Sequence, residues 1–463
     1  MSHQDPKVGE RFQADYLKRA LQWLLSGISW STIALRADCS WTPSLLASAA
    51  LLGAWSDEAT LVERFRSARS IVLFMFPGQP ERAGSYQAFT KVLRRWTGAL
   101  VACLQTALRD RMQQALPDCW KIHDFILFGV DGSRTELPRT VSHERRYAAS
   151  RKKQAKKKQQ AKKQAARQQS HARKADSPQL WLTTLLHVGT GLPWDWRTGP
   201  ADSSERAHLL EMLAGLPAAA LITADAGFVG YDYAKAILDS GRQLLIRVGA
   251  NVRLLTKLGY VRERGNTVYL WPDEKARKLQ RPLVLRLVVA AGGRHPVYLL
   301  TSVVSPTRLS DRQVIELYAR RWKIELFYRH LKQTFGRRKL RSTTADNAAV
   351  EMHWSYAGLW AMALYALVEA AKAGTPPAKL SIAKMLRAFR HTLRDYRHAR
   401  VRGHSLSSQL RLAVIDSYVR GAKASRNYPR KKKERPPGSP LILEATTTQV
   451  QSAEALRNLN EKG

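Results

Sequence analysis

Residues 125–132 read FILFGVDG, an apolar run that stops at Asp131-Gly132. A stretch that is apolar without alternation suits a strand buried on both faces, the kind found where helices cover a parallel sheet. Two more segments share this character: AAALITA at 218–224, which ends in Asp225, and QLLIRV at 243–248. Between the first two, LWLTTLLHV (180–188), a Gly189-Thr190-Gly191 turn and LPWDW (192–196) read as a β-hairpin. Asp202-Ser203-Ser204-Glu205 then offers N-cap and first-turn acid chemistry for a helix over 203–213. The expected order is strand, hairpin, helix, strand, helix, strand.

Upstream, residues 11–118 carry helical periodicity, as in Tyr16, Leu17, Ala20, Leu21 and Leu24, with Pro43, Pro77, Pro80 and Pro117 between runs. This predicts a helical N-terminal domain over 1–118 and a first part of the α/β core over 119–248. Downstream, VRLL, TVYLW, LVLRLVVAA and PVYLLTSVV, separated by Gly, Asn and Pro, predict a β-strand insertion subdomain over 249–306 with a sheet of its own. A long helix from Asp311 to Phe335, stopped by Gly336, returns to the core over 307–345. Helices are expected over 346–422, and a basic, Pro-rich, disordered tail over 423–463.

Lys and Arg number 76 against 37 Asp and Glu, a formal charge of +39, which makes a polyanion the first partner to consider. Part of the excess lies in an arm at 145–174, with thirteen Lys or Arg and no acid; an all-polar, like-charged helix there would have no face to bury. Arg94 and Arg95 are candidates for DNA contact within the N-terminal helices. Cys39, Cys103 and Cys119 are far apart and lack metal-ligand or disulfide spacing. The apolar runs at 45–55 and 357–371 are too short, or carry Glu369, for a membrane span, and residues 1–19 lack a signal-peptide pattern. The Gly189-Thr190-Gly191 turn lacks the setting of a nucleotide loop, so ATP is not implied. A cytoplasmic, DNA- or RNA-facing protein is the expectation.

Such a strand order is compatible with a ribonuclease H-like α/β core, whose first and fourth strands are neighbours. Parallel neighbours would bring Asp131 and Asp225 to one sheet edge, where ligands gather. Two acids there repel unless a cation lies between them. A third acid comes from DRQVIELYARRWKIELFYRHLKQTFG (311–336). On an ideal helix Tyr318, Arg321, Glu325 and Lys332 fall at about 0°, 300°, 340° and 320°, one stripe, while Leu317, Ile324 and Leu331 form the packing face. Phosphodiester chemistry needs an activated attacking hydroxyl and a neutralised leaving oxygen, which two Mg²⁺ or Mn²⁺ ions about 3.5 to 4 Å apart supply when carboxylates bridge them. Asp131, Asp225 and Glu325 are the candidate catalytic and metal-binding residues. Arg321 can fork phosphate oxygens, Lys332 adds a point charge, and Tyr318 can donate its hydroxyl to a phosphate.

The spacing Tyr318-x2-Arg321-x3-Glu325-x6-Lys332 resembles the Y-R-E-K signature of DDE transposases of a large bacterial insertion-sequence family. DGSRTELPRT (131–140) resembles that family's first-Asp motif and TADAGF (223–228) its second, with Ala226 where Arg is common, which removes the basis for a phosphate contact there. The similarity extends over about residues 80–345. It implies a ribonuclease H-like core with a β-strand insertion, metal-dependent cleavage at transposon end inverted repeats, a DNA hairpin intermediate, excision and strand transfer into target double-stranded DNA by a homodimer. In relatives an aromatic of the inserted sheet stacks on a flipped base; Tyr298 and Trp271 are the candidates here.

Taken singly, these features have ordinary readings. Asp131-Gly132 suits a turn, and Arg321 with Glu325 suits a solvated i,i+4 pair. Their conjunction favours the transposase. A domesticated DNA-binding relative and a simple metal-dependent nuclease are the alternatives, separable by host context and by target joining.

Overall fold

The computed structural model describes residues 7–77, 84–149, 177–292, 295–396, 405–415 and 438–461. The fold is mixed α/β around one ten-stranded sheet. Its chain-order elements are α1 (Lys7–Leu25), α2 (Pro43–Trp55), α3 (Leu61–Met75), α4 (Tyr86–Ala115), β1 (Ile126–Glu136), α5 (Val141–Tyr147), β2 (Gln179–His187), β3 (Leu192–Gly199), α6 (Glu205–Met212), β4 (Ala220–Ala224), α7 (Tyr231–Asp239) and β5 (Gln243–Val248). Then follow β6 (Arg253–Thr256), β7 (Thr267–Leu270), α8 (Asp273–Arg277), β8 (Leu283–Ala290), β9 (Val297–Thr301), α9 (Asp311–Arg320), α10 (Lys323–Arg329), α11 (Ala345–Ala371), α12 (Ile382–Asp395), α13 (Leu406–Arg411), β10 (Leu441–Glu444) and α14 (Thr447–Glu461).

Across the sheet the order is β10-β6-β7-β8-β9-β5-β4-β1-β2-β3. β1 and β4 are parallel neighbours, as are β4 and β5, whereas β1, β2 and β3 form an antiparallel meander whose hairpin turns through Gly191 at φ 74°. Helix-bearing connections explain the parallel pairs, because a parallel return needs a crossover. The apolar strands predicted from 125–130, 218–224 and 243–248 are all present and buried.

Residues 253–301 do not make a separate sheet, as the sequence led us to expect. β9 pairs antiparallel with β5, from Leu245–Thr301 to Val248–Tyr298, so the insertion lengthens the core sheet. Backbone groups on the β5 edge must find partners, and β9 supplies them. The tail also departs from expectation. Within 438–461, LILE (441–444) forms β10 parallel to β6 and covers that edge, and α14 follows. The segment reads as tail because four residues of strand are too few to show periodicity; residues 416–437 lie outside the described residues, as does the basic arm beyond Ala149.

The N-terminal helices are present but share their core with the rest of the chain. α2 (PSLLASAALLGAW) is apolar all round and buried, begun by Thr42, whose Oγ1 accepts from Leu45 N, and by Pro43. It lies against α11, a 27-residue helix that is buried along most of its length. Trp55 Nε1 donates to Gly358 O at 2.8 Å, and a Cβ on Gly358 would come within 2.8 Å of Ala54 Cβ, so Gly358 is what lets the two helices touch. Arg337, fully buried, donates to Ser355 Oγ at 2.6 Å and Phe335 O at 2.9 Å. α11 thus ties the N-terminal helices to the segment that follows α10.

Candidate active site

The last parallel pair between β1 and β4 is Gly129 with Thr223. Asp131 and Asp225 each stand two residues beyond it, level with one another on neighbouring strands about 4.8 Å apart. Asp131-Gly132 is not a turn: β1 runs on to Glu136, still paired with β2 through Asp131–Thr184, and it is β4 that stops. The aspartates therefore flank the point where the strands part. Gly132 N donates to Asp131 Oδ1 at 2.8 Å, and Gly227 N to Asp225 Oδ1 at 2.8 Å, so a local backbone N–H orients each carboxylate. Burial pushes the Asp131 carboxyl up to about 6, with the charges of Asp225 and Glu325 acting the same way against the Gly132 N–H and Arg321.

The segment over 311–335 is not one uniform helix. Arg321 N bonds Tyr318 O, Trp322 N bonds Ala319 O, Ile324 N bonds Arg321 O and Glu325 N bonds Trp322 O, a run of three-residue steps that overwinds the chain between α9 and α10. A π-helical stretch over His330–Thr334 follows, closed by Phe335 N on His330 O at 2.9 Å, and Gly336 ends it at φ 69°. The ideal-helix angles thus do not hold through this region, yet the functional groups still converge. Arg321 Nη2 donates to Glu325 Oε1 at 3.0 Å, and its guanidinium lies 5.7 Å from the Tyr318 ring centroid. Tyr318 is largely buried, which raises its hydroxyl pKa against the nearby Arg321 and Arg247, and Asp225 is close enough to act in the same sense as burial.

Two bonds lay this segment along β1. Tyr328 Oη donates to Asp131 O at 2.8 Å, and Lys332 Nζ donates to Ser133 Oγ at 2.6 Å. Ser133 shares the strand face of Asp131, because alternate residues point the same way. Lys332 consequently lies beside Asp131, whose charge offsets part of the lowering that burial imposes on the ammonium. The six residues named for chemistry, Asp131, Asp225, Glu325, Tyr318, Arg321 and Lys332, thus stand around the end of β4 and the middle of β1 beside it. Among the described residues, no three His, Cys, Asp or Glu side chains stand close enough to hold one ion. Glu325 takes Arg321 as its counter-ion.

The base-stacking candidates separate. Trp271 is 3% exposed and donates its indole N–H to Gln280 O at 2.7 Å, so it is a core residue and not a stacking platform. Sequence alone misses this because TVYLW reads as strand without showing which sheet face the Trp occupies. Tyr298 is half-buried and pairs with Val248 at the end of β5, the sheet edge that carries the aspartates.

Glu205, visible in the sequence only as a first-turn acid, belongs to this neighbourhood. It opens α6, and its carboxylate lies where Gly132 has no side chain: a Cβ there would stand 2.2 Å from Oε1. Burial first, then the charges of Asp131 and Asp225, push its carboxyl up to about 7, against Arg134 and Arg206. The available signal was Gly132 itself, beside a candidate catalytic acid.

Among the described residues, no helix is long and apolar enough to cross a membrane. The profile of the transposase DDE domain family matches residues 128–360, half of the chain. The transposase InsG for insertion sequence element IS4 of Escherichia coli (strain K12) is 28% identical over 203 residues, which span 41% of this chain and 44% of that protein. The cryo-EM structure of a piggyBac transposase synaptic complex with hairpin DNA superposes with a TM-score of 0.38 at 13% identity, over 90% of this chain and 86% of that one.

Proposed function

Because the chain belongs to the transposase DDE domain family, we propose that it is a DNA transposase that cleaves DNA at the inverted repeats ending its element and joins the freed ends to target DNA, with Asp131, Asp225 and Glu325 as the catalytic acids. The observation that carries this reading is the level placement of Asp131 and Asp225 where β1 and β4 part, with the Glu325 segment fixed across them by Tyr328 and Lys332. The order β3-β2-β1-β4-β5, antiparallel then parallel, supports a ribonuclease H-like core.

The donor set fits a hard divalent cation. It offers carboxylate oxygens only, half-buried and mutually repelling, a combination that Mg²⁺ or Mn²⁺ relieves. Asp131, Asp225 and Glu325 would hold two ions, which supply charge neutralisation and a more acidic attacking hydroxyl. Arg321 exchanges its bond to Glu325 for a fork to a phosphate oxygen pair, leaving the carboxylate to turn inward. Lys332 and Tyr318 place a charge and an O–H donor beside the same phosphate. Tyr298, on the aspartate edge of the sheet, is the remaining aromatic for a flipped base, and excision through a DNA hairpin by a homodimer completes the proposal.

The test is incubation of the full chain with DNA carrying the element's flanking inverted repeats and Mg²⁺. Wild type should nick at the repeat end and join it to a second duplex, while Asp131→Asn, Asp225→Asn and Glu325→Gln should not. Equal cleavage by the three variants refutes the assignment, and cleavage without joining favours a simple nuclease.

A further inference from the structure

β1 alternates its faces, so Asp131 and Ser133 point one way and Gly132 the other. Lys332 meets the first face at Ser133. Glu205 comes from α6 on the second: its Oε1, Cδ and Cγ would lie 2.2, 2.4 and 2.6 Å from a Cβ on Gly132. The carboxylate is thus pressed onto the main chain of the residue next to Asp131, an approach that any other amino acid at 132 would block. Among the described residues, Glu205 shows no hydrogen-bond donor or ion-pair partner, although Arg134 and Arg206 are in its electrostatic neighbourhood together with Asp131 and Asp225. The start of α6 therefore sets a half-buried carboxylate without a direct counter-ion against two others of the same sign.

We propose that Glu205 is a further acidic ligand of the divalent-cation cradle of Asp131 and Asp225, reaching it around the edge of β1 through the side-chain-free position Gly132. This rests on the cation reading given above. Glu325 and Glu205 then approach from segments on different sides of β1, so the cradle is closed by one acid from α10 and one from α6. A hard cation takes six or more oxygen ligands, and a fourth carboxylate adds to the few that the other acids supply. Gly132 is then required for access and not for a turn.

The experiment is Mn²⁺ titration of the full chain without DNA, followed by electron paramagnetic resonance of the free ion, for wild type, Asp225→Ala, Glu205→Gln and Gly132→Ala. Circular dichroism checks that each variant folds. Glu205→Gln should weaken Mn²⁺ binding by about 10- to 100-fold, and Gly132→Ala, which leaves the acid in place but displaces it, should weaken it in the same range. If Asp225→Ala loses Mn²⁺ while Glu205→Gln and Gly132→Ala bind as wild type does, the Glu205 role is overturned and the aspartate cradle stands. If Asp225→Ala also binds as wild type does, the cation reading itself fails. Should Glu205→Gln not fold, Gly132→Ala decides the question alone.

Discussion

In metal-free protein, replacing Glu205 by Gln should stabilise the fold at neutral pH and not at acid pH. The folded-state carboxyl is raised from its ordinary 4.5 to about 7, so the folded state prefers the protonated form. For a raised acid, stability is fully present below the unfolded value and is lost as pH climbs through 4.5 towards 7. The Gln side chain has no proton to lose. The stability difference between variant and wild type should therefore be near zero at pH 4, grow through pH 5 and 6, and level off above pH 7. A shift of about 2.5 pKa units corresponds to roughly 3 kcal/mol at most, and solvent screening of this half-exposed group reduces that to about 1–2 kcal/mol. At an unfolding entropy of about 2.1 cal/mol/K per residue, this is a melting shift of about 1–2 °C for a chain of this length. Thermal unfolding of both proteins in EDTA from pH 4 to 8 reads the difference, and titrations of His and of distant acids cancel in it. A difference that is flat with pH, or that is largest at pH 4, refutes the picture of Glu205 crowded by Asp131 and Asp225.

Further outcomes follow from other contacts. Arg321→Lys keeps the charge but not the fork, so DNA cleavage should fall by about 10²- to 10³-fold while Mn²⁺ binding is retained; loss of both would make Arg321 a structural support for Glu325. Gly358→Val forces a methyl-sized group against Ala54 and stretches the Trp55 bond, and should destabilise by about 1–3 kcal/mol, visible as a lowered melting temperature. Gly98→Ala, on the exposed face of α4 with no neighbour within 4 Å, should instead stabilise by about 0.5–1 kcal/mol in the same assay. Deleting residues 438–463 uncovers the β6 edge, and sedimentation should show increased self-association.

What could be read from the sequence follows from the range of the interactions involved. Buried strands such as FILFGV and ALITA announce themselves through local composition, and the hairpin through its Gly turn, so the α/β order and the edge shared by Asp131 and Asp225 were legible. Whether β9 pairs with β5 or closes a sheet of its own depends on a pairing across some fifty residues that no local pattern records. The overwound step at Arg321 and the π-helical stretch at His330 were likewise invisible, since all these residue types tolerate an ordinary helix. The Y-R-E-K set converges nonetheless, because Tyr328 and Lys332 anchor the segment to β1 at Asp131 and Ser133, and these anchors and not an ideal pitch decide where Glu325 can reach.

That distinction bears on how the site could work. A uniform helix would hold Tyr318, Arg321, Glu325 and Lys332 at fixed angles, whereas a break between Tyr318 and Glu325 lets the two halves of the stripe be positioned separately. α9 packs through Val314 and Leu317 on the sheet face that carries Leu221, Leu245 and Leu299, and α10 is held by its own bonds to β1. Arg321 lies at the joint between them. Its bond to Glu325 spans i,i+4 across the overwound step, so on the proposed reading a phosphate that captures Arg321 would free the acid at the joint. A substitution that straightens the joint should therefore impair cleavage even though every charged group is kept. Trp322, 58% exposed at that joint, is the position at which to try it, since replacement by the strong helix former Ala removes no core contact. Trp322→Ala with cleavage lost and Mn²⁺ binding and stability unchanged is the expected result; unchanged cleavage would mean that the break has no part in delivering Glu325.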